Sequence, residues 1–179
     1  MRLLTAALLF TAVASAQDIP ANPLITVSKT IYGMSKDDIL RSVDKIPESM
    51  WSFQPTKDVR TVAQMFAHIA DGQYEFCSAV VEGKPVSKDI EKTHKTKAEI
   101  VPALKGAFAY CDSAYAKMTD ANAADIVPFF GMKATKLGIM DFNTAHNMEH
   151  YGNLVTYMRI NGIVPPSSES QAPAAASKK

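Results

Sequence analysis

The sequence predicts an all-α fold, a four-helix bundle with a long crossover connection. Three observations carry this. Four long segments repeat apolar residues every three to four positions, the period of one helix face. No segment reads well as a strand. Two of the connections are long, which suits a bundle with a crossover better than a simple up-and-down pair of hairpins.

The elements follow in chain order. The first helix is expected from about Leu24 to Ile46, on the spacing of Ile31, Met34 or Ser35, Ile39 and Val43, with Pro47 closing it. The connection Glu48 to Arg60 holds Trp51, Phe53 and Pro55. The proline argues against helix, and two large aromatics are costly to leave in water, so this loop should pack over the bundle end. The second helix begins at Thr61, where Gln64 completes a capping box. Its stripe is Val62, Met65, Phe66, Ile69, Gln73, Phe76 and Val80, with one polar intrusion, and Gly83 and Pro85 end it.

Lys84 to Thr96 is charged and reads as a crossover. The third helix covers about Lys97 to Thr119, on Ile100, Leu104, Phe108, Cys111, Tyr115 and Met118; Pro102 in its first turns leaves a start nearer Val101 as the alternative. A loop with Pro128 and Gly131 leads to the fourth helix, from Thr135 or Lys136 to Ile160, stopped by Asn161-Gly162. That helix is apolar on two sides: Leu137, Met148, Val155 and Met158 on one, Ile139, Phe142, Tyr157 and Ile160 roughly opposite. A helix apolar on two sides is buried on two sides. One side should face the bundle and the other a loop or a second subunit, so a homodimer is expected.

The ends read differently. Arg2, the apolar run Leu3 to Val13 and the small-x-small site Ala14-Ser15-Ala16 form a signal peptide over residues 1–16, too short to span a bilayer. No Cys follows the run, so no lipoprotein anchor and no stable membrane anchor are expected. The mature domain should cover 17–164, in the periplasm or the extracellular medium. Asp18 to Pro23 is expected to be a short extended lead-in. Residues 165–179 are Pro, Ser, Ala and Lys with no periodicity, and are expected to be disordered.

The 179 residues are 47% apolar, enough for one ordinary core. The net charge of +1 leaves no electrostatic footprint for nucleic acid or an anionic membrane surface.

Chemistry concentrates in histidines. His146 and His150, four apart, share one face of the fourth helix, and two imidazoles so placed can hold one cation. A third ligand must come from elsewhere. His68 is the candidate: it lies at the edge of the second helix's stripe, and Gly72 one turn on leaves room beside it. A His-x3-His pair alone is a moderate signal, and a lone helical His is more often structural. His94, in the charged loop, reads as exposed and no ligand. Asp71 and Glu75, one and two turns beyond His68, read first as solvated charges and second as a base or a supporting contact.

Three motifs resemble one family. Thr61-Val62-Ala63-Gln64-Met65-Phe66-Ala67-His68-Ile69 is similar to the segment S-V-x-x-L-x-x-H-I. His146-Asn147-Met148-Glu149-His150-Tyr151-Gly152-Asn153 is similar to H-E-x-H-H-x-G-Q. Tyr157-Met158-Arg159-Ile160-Asn161-Gly162 with Pro165-Pro166 is similar to Y-L-R-x-x-G-x-x-P. Together with the aromatic-then-proline entry at Trp51 to Pro55, these resemble the DinB-like (YfiT-like) damage-inducible family over nearly the whole mature chain. The resemblance implies that family's bundle and its ligand set, one His from the second helix and two from the fourth: here His68, His146 and His150. The chain departs from the pattern at Asn147, where Glu is frequent, and at Glu149, where His is frequent; neither is an implied ligand.

Three imidazoles in an open site suit a divalent transition metal, Zn, Ni, Fe or Mn. The leading expectation is an exported metal-dependent hydrolase or transferase acting on a small-molecule substrate. The alternatives are a non-catalytic periplasmic metal- or ligand-binding bundle and a purely structural bundle. If the crossover makes the second and third helices parallel, as the resemblance implies, Cys77 and Cys111 lie at similar height and a disulfide is open to them. Buried free thiols are the slightly preferred reading, because disulfide geometry is demanding.

Overall fold

The structure, a computed structural model, describes residues 20–169. The expected signal peptide, residues 1–16, and most of the expected disordered tail lie outside the described residues. The long helices are α1 (Pro23–Lys45), α2 (Val62–Glu82), α4 (Lys97–Ala116) and α5 (Lys136–Ile160), with the short turns α3 (Ile90–Thr93) and α6 (Pro166–Glu169) and one hairpin, β1 (Ile126–Phe129) with β2 (Met132–Thr135). No helix among the described residues is long and apolar enough to cross a membrane.

Side-chain pairs fix the helix order. Tyr74 meets Tyr110 and Cys77 meets Cys111, so α2 and α4 run parallel across the crossover. Gln73 meets Asn143 while Arg60, just before α2, meets Tyr157 near the end of α5, so α2 and α5 are antiparallel. Ser28 meets Asp141 and Ser35 meets Asn147, so α1 and α5 are parallel. The parallel pairs α2/α4 and α1/α5 thus sit within one ring of four helices.

The predicted starts and stops have the expected causes. Thr61 and Gln64 exchange hydrogen bonds as a capping box, and Thr96 with Glu99 does the same for α4. Such caps contribute about 1 kcal/mol each by satisfying orphan amide groups. Gly83 and Gly162 take positive φ (75° and 72°) at the ends of α2 and α5, where a Cβ would be strained. The predicted stripes of α2 and α4 are buried throughout. Trp51 is buried against Phe66, and Phe53 packs edge-on to Tyr157, covering the bundle end as expected.

Four expectations are corrected. First, Ile31 and Met34 face outward, while Ser35, Ile39 and Val43 of the expected spacing lie on the inner face with Ile25, Ser28, Tyr32 and Ser42. Serines seven residues apart keep α1 close to α5, where Ser28 and Ser35 bond to its polar side chains. Second, a two-stranded ribbon precedes α5. Phe130 and Gly131 both take positive φ (45° and 78°), the backbone of a tight hairpin turn that Asn-Gly signals more openly. Four-residue strands containing Pro128 are too short to show alternation.

Third, Cys77 and Cys111 are joined by a disulfide, with Cα atoms 5.4 Å apart and both residues wholly buried. The parallel pairing of α2 and α4 supplies the geometry that free thiols were preferred for lacking. Fourth, the tail does not become irregular at Pro165. Pro165 and Pro166 are buried, Ser167 exchanges hydrogen bonds with the Tyr151 hydroxyl, and Glu169 pairs with Arg41 and Lys45. In the single chain Phe142, Met148 and Ile160 of α5 are exposed. Its interior instead takes Asn143, Thr144 and Asn147, polar residues with partners on other helices or on the helix's own backbone.

Candidate metal centre

Helix α2 carries His68, and antiparallel α5 carries His146 and His150 at the same height. The His68 Nε2 lies 3.2 Å from His146 Nε2, and His150 Nε2 lies 3.0 Å from the same atom. Ligand atoms of all three fall within 4.8 Å of one another. Nitrogens held roughly 2.0–2.1 Å from one ion, at octahedral to tetrahedral angles, stand roughly 2.8–3.4 Å apart. The two Nε2 spacings at His146 therefore fit a shared cation, and the three expected residues are brought together.

The chemical state fits as well. Burial first, then the neighbouring imidazoles, push His146 down to about 3. Burial, with His68 beside it, pushes His150 down to about 4. Both rings are therefore neutral at pH 7, which is the form that ligates. Their Nδ1 atoms are buried with no hydrogen-bond partner among the described residues.

Gly72 makes the approach of the two helices feasible. A Cβ there would stand 2.7 Å from His146 Cε1. The space that Gly72 leaves is thus filled by His146 from the facing helix. The Phe76 ring meets His146 edge-on, and Phe129 and Phe130 of the hairpin stack onto Phe76, forming an apolar wall on that side.

The opposite side is polar and comes from the crossover. Glu91, in α3, has Oε2 3.0 Å from His68 Nδ1, while its Oε1 accepts from Arg60 Nε at 2.8 Å. Burial works to raise this carboxyl, but Arg60 and His68 outweigh it and hold it below the usual carboxylate range. Asp71 is nearly buried and accepts from the backbone amides of Ile90 and Glu91, at 2.8 and 2.9 Å. It is therefore a brace for the crossover and not the solvated charge expected of it. Glu75 is half-buried, and burial raises its carboxyl. His94 is half-buried, not exposed; its Nδ1 lies 2.9 Å from Thr93 Oγ1, and it stays out of the cluster.

Two clefts open on the triad. One, of about 570 Å³, is lined by Arg60, Gln64, Glu91, Glu149, His150 and Tyr157 among others. The second, of about 520 Å³, includes His68, Asp71, Gly72, Glu75, Glu91 and His146. Glu91 borders both. Sequence reasoning missed Glu91 and Arg60, because neither stands at ligand spacing from a histidine. The one available signal was an acidic residue in a crossover long enough to fold back on the second helix.

A helical bundle with a three-histidine cluster between an antiparallel helix pair defines the class. Residues 33–154 match the DinB superfamily, and the chain belongs to it. Among solved structures it is similar to a DinB-like protein from Bacillus cereus (17% identity, TM-score 0.64, covering 79% of this chain and 93% of that one). It is also similar to a DinB-like protein from Bacillus subtilis (18%, 0.59, 79% and 92%) and to a conserved protein from Enterococcus faecalis (13%, 0.59, 75% and 95%). At these identities the likeness concerns the fold. No curated protein matches the chain.

Proposed function

We propose that this protein holds one divalent transition metal, Zn, Ni, Fe or Mn, through His68, His146 and His150, and acts as an exported metal-dependent hydrolase or transferase on a small molecule. The convergence of three Nε2 atoms, 3.0 and 3.2 Å along the triad, carries the metal reading. A metal held there would supply a Lewis acid to a ligand entering either cleft. Around it, the chain's own residues divide the work. Phe76 and the hairpin aromatics keep water off His146, Arg60 and Tyr157 offer polar contacts at one cleft, and Glu75 in the other is more basic than a solvated carboxylate. Those features support the catalytic part.

Export is supported by the Leu3 to Val13 run with its Ala-Ser-Ala site, and by the Cys77–Cys111 disulfide, which belongs to an oxidising compartment. The homodimer reading rests on an exposed apolar stripe of α1, Leu24, Val27, Ile31 and Met34, beside Met148 of α5.

The test is metal analysis of full-length protein purified without a histidine tag. One metal per chain, lost in a His146→Ala, His150→Ala double variant, is the expected result. No uptake after reconstitution with each of the four metals rejects it. Release into the periplasm or medium, a two-chain mass in solution and a screen of small-molecule esters and thiols test the rest.

A further inference from the structure

We propose that Glu91 is a positioning residue for the metal centre: it accepts the Nδ1 proton of His68 and so fixes the tautomer that presents the Nε2 lone pair to the cluster. The inference rests on the metal reading above and adds a residue to it.

The direction of the contact is the first support. Glu91 Oε2 is 3.0 Å from Nδ1, the ring nitrogen facing away from the cluster, while Nε2 is the atom that meets His146. An ionised carboxylate only accepts, so the proton on Nδ1 belongs to His68. The same direction excludes Glu91 as a fourth ligand of the same ion. Carboxylates placed so behind ligating histidines orient the ring and raise its basicity.

The rigidity of the carboxylate is the second support. Arg60 Nε holds Oε1 at 2.8 Å. Asp71, three residues after His68 on α2, accepts from the Glu91 amide, and Lys95 Nζ donates to the Glu91 carbonyl at 2.8 Å. Ile90 plugs the core beside it, and Asp89 before it takes a left-handed φ of 52° that turns the chain inward. The crossover is thus built to hold one carboxylate against one imidazole. Among the described residues His146 and His150 have no such partner on Nδ1. His68 is the one of the three with a carboxylate behind its ring.

Glu91→Ala and Glu91→Gln in the full chain test this, with two readouts. Long-range nitrogen–proton NMR at mildly alkaline pH reads the His68 tautomer in metal-free protein, and chelator competition reads zinc affinity. In wild type His68 should carry its proton on Nδ1. In Glu91→Ala the Nε2–H tautomer should appear, and zinc should bind about 10–100-fold more weakly. Glu91→Gln should retain more affinity, because its amide oxygen accepts the same proton, and it serves if the alanine variant fails to fold. Wild-type His68 signals and zinc affinity in a folded Glu91→Ala protein would overturn the proposal. A wild-type chain that takes up none of zinc, nickel, iron and manganese rejects the metal reading instead, and the tautomer shift in metal-free protein still decides the role of Glu91.

Discussion

Helices α2 and α5 meet through two polar layers, one helical turn apart, and the two are built to opposite ends. In the deeper layer the Gln73 amide nitrogen donates to Asn143 and Asn147 at 2.9 and 2.6 Å, and the Asn143 amide returns a bond to Gln73 at 3.0 Å. Asn147 reaches Ser35 on α1 at 3.4 Å. All four residues are wholly buried, and their amides find partners within the protein. In the outer layer His68, His146 and His150 crowd three Nε2 atoms together, and among the described residues the Nδ1 atoms of His146 and His150 lack partners. A buried polar group normally finds its partner in the chain. The amide layer obeys that rule and holds helices together. The imidazole layer departs from it in the way a binding site does.

The comparison can be broken from either side. The largest effect should come from removing a ligand. His146→Ala should weaken metal binding by more than the roughly 10–100-fold expected of a supporting group. Unfolding of the metal-free protein at neutral pH should barely change. Titration calorimetry and denaturant melts on one preparation check both halves.

Removing the disulfide beneath the amide layer should do the reverse. The bridge spans a sequence separation of 34, and a closed loop of that length is worth about 4 kcal/mol in the chain-entropy account. A Cys77→Ala, Cys111→Ala variant should lose stability of that order in urea melts and keep its metal stoichiometry. Gln73→Leu should cost about 1–3 kcal/mol for each amide it strands, again with metal retained. Equal loss of metal in these variants would mean that the two layers are one unit.

Gly72→Ala is a milder probe. Its Cβ would press on His146 Cε1, so metal affinity should fall while the amide layer is untouched. An affinity equal to wild type would show that the imidazole has room to shift.

A further test is a pH dependence peculiar to the outer layer. Unfolded imidazoles take up protons as pH falls below 6.5, whereas folded His146 and His150 resist until about 3 and 4. In that window the unfolded state binds more protons. Metal-free protein should therefore lose stability as pH falls from 6.5 toward 4, by at most about 1.4 kcal/mol per pH unit for each proton. Chelator-treated melts should show this slope, and the His146→Ala, His150→Ala double variant should flatten it. No change of slope would place the titrating groups elsewhere.

What was legible in the sequence follows the same division. Helices α2 and α4 carry large apolar residues at regular spacing and start at capping boxes, and α2 stops at Gly83, so local chemistry marks them. The ligand pair was visible because four residues make one helical turn. The inner face of α1 was legible only in its second half, at Ser35, Ile39 and Val43; nearer its start Ser28 packs inside while Ile31 and Met34 point outward. Glu91 was hidden for a different reason: its meaning depends on a turn held by Asp71 from another helix. The departure from the family pattern at Asn147 became intelligible only when its amide was found within the buried layer.

The disulfide has one more consequence. It ties α2 to α4 on either side of the segment that carries Glu91, so a protease that nicks the crossover would sever the backbone without separating the two pieces. Such a clipped molecule would run as one chain on a gel until treated with thiol, with its bundle still clasped and the carboxylate behind His68 set loose.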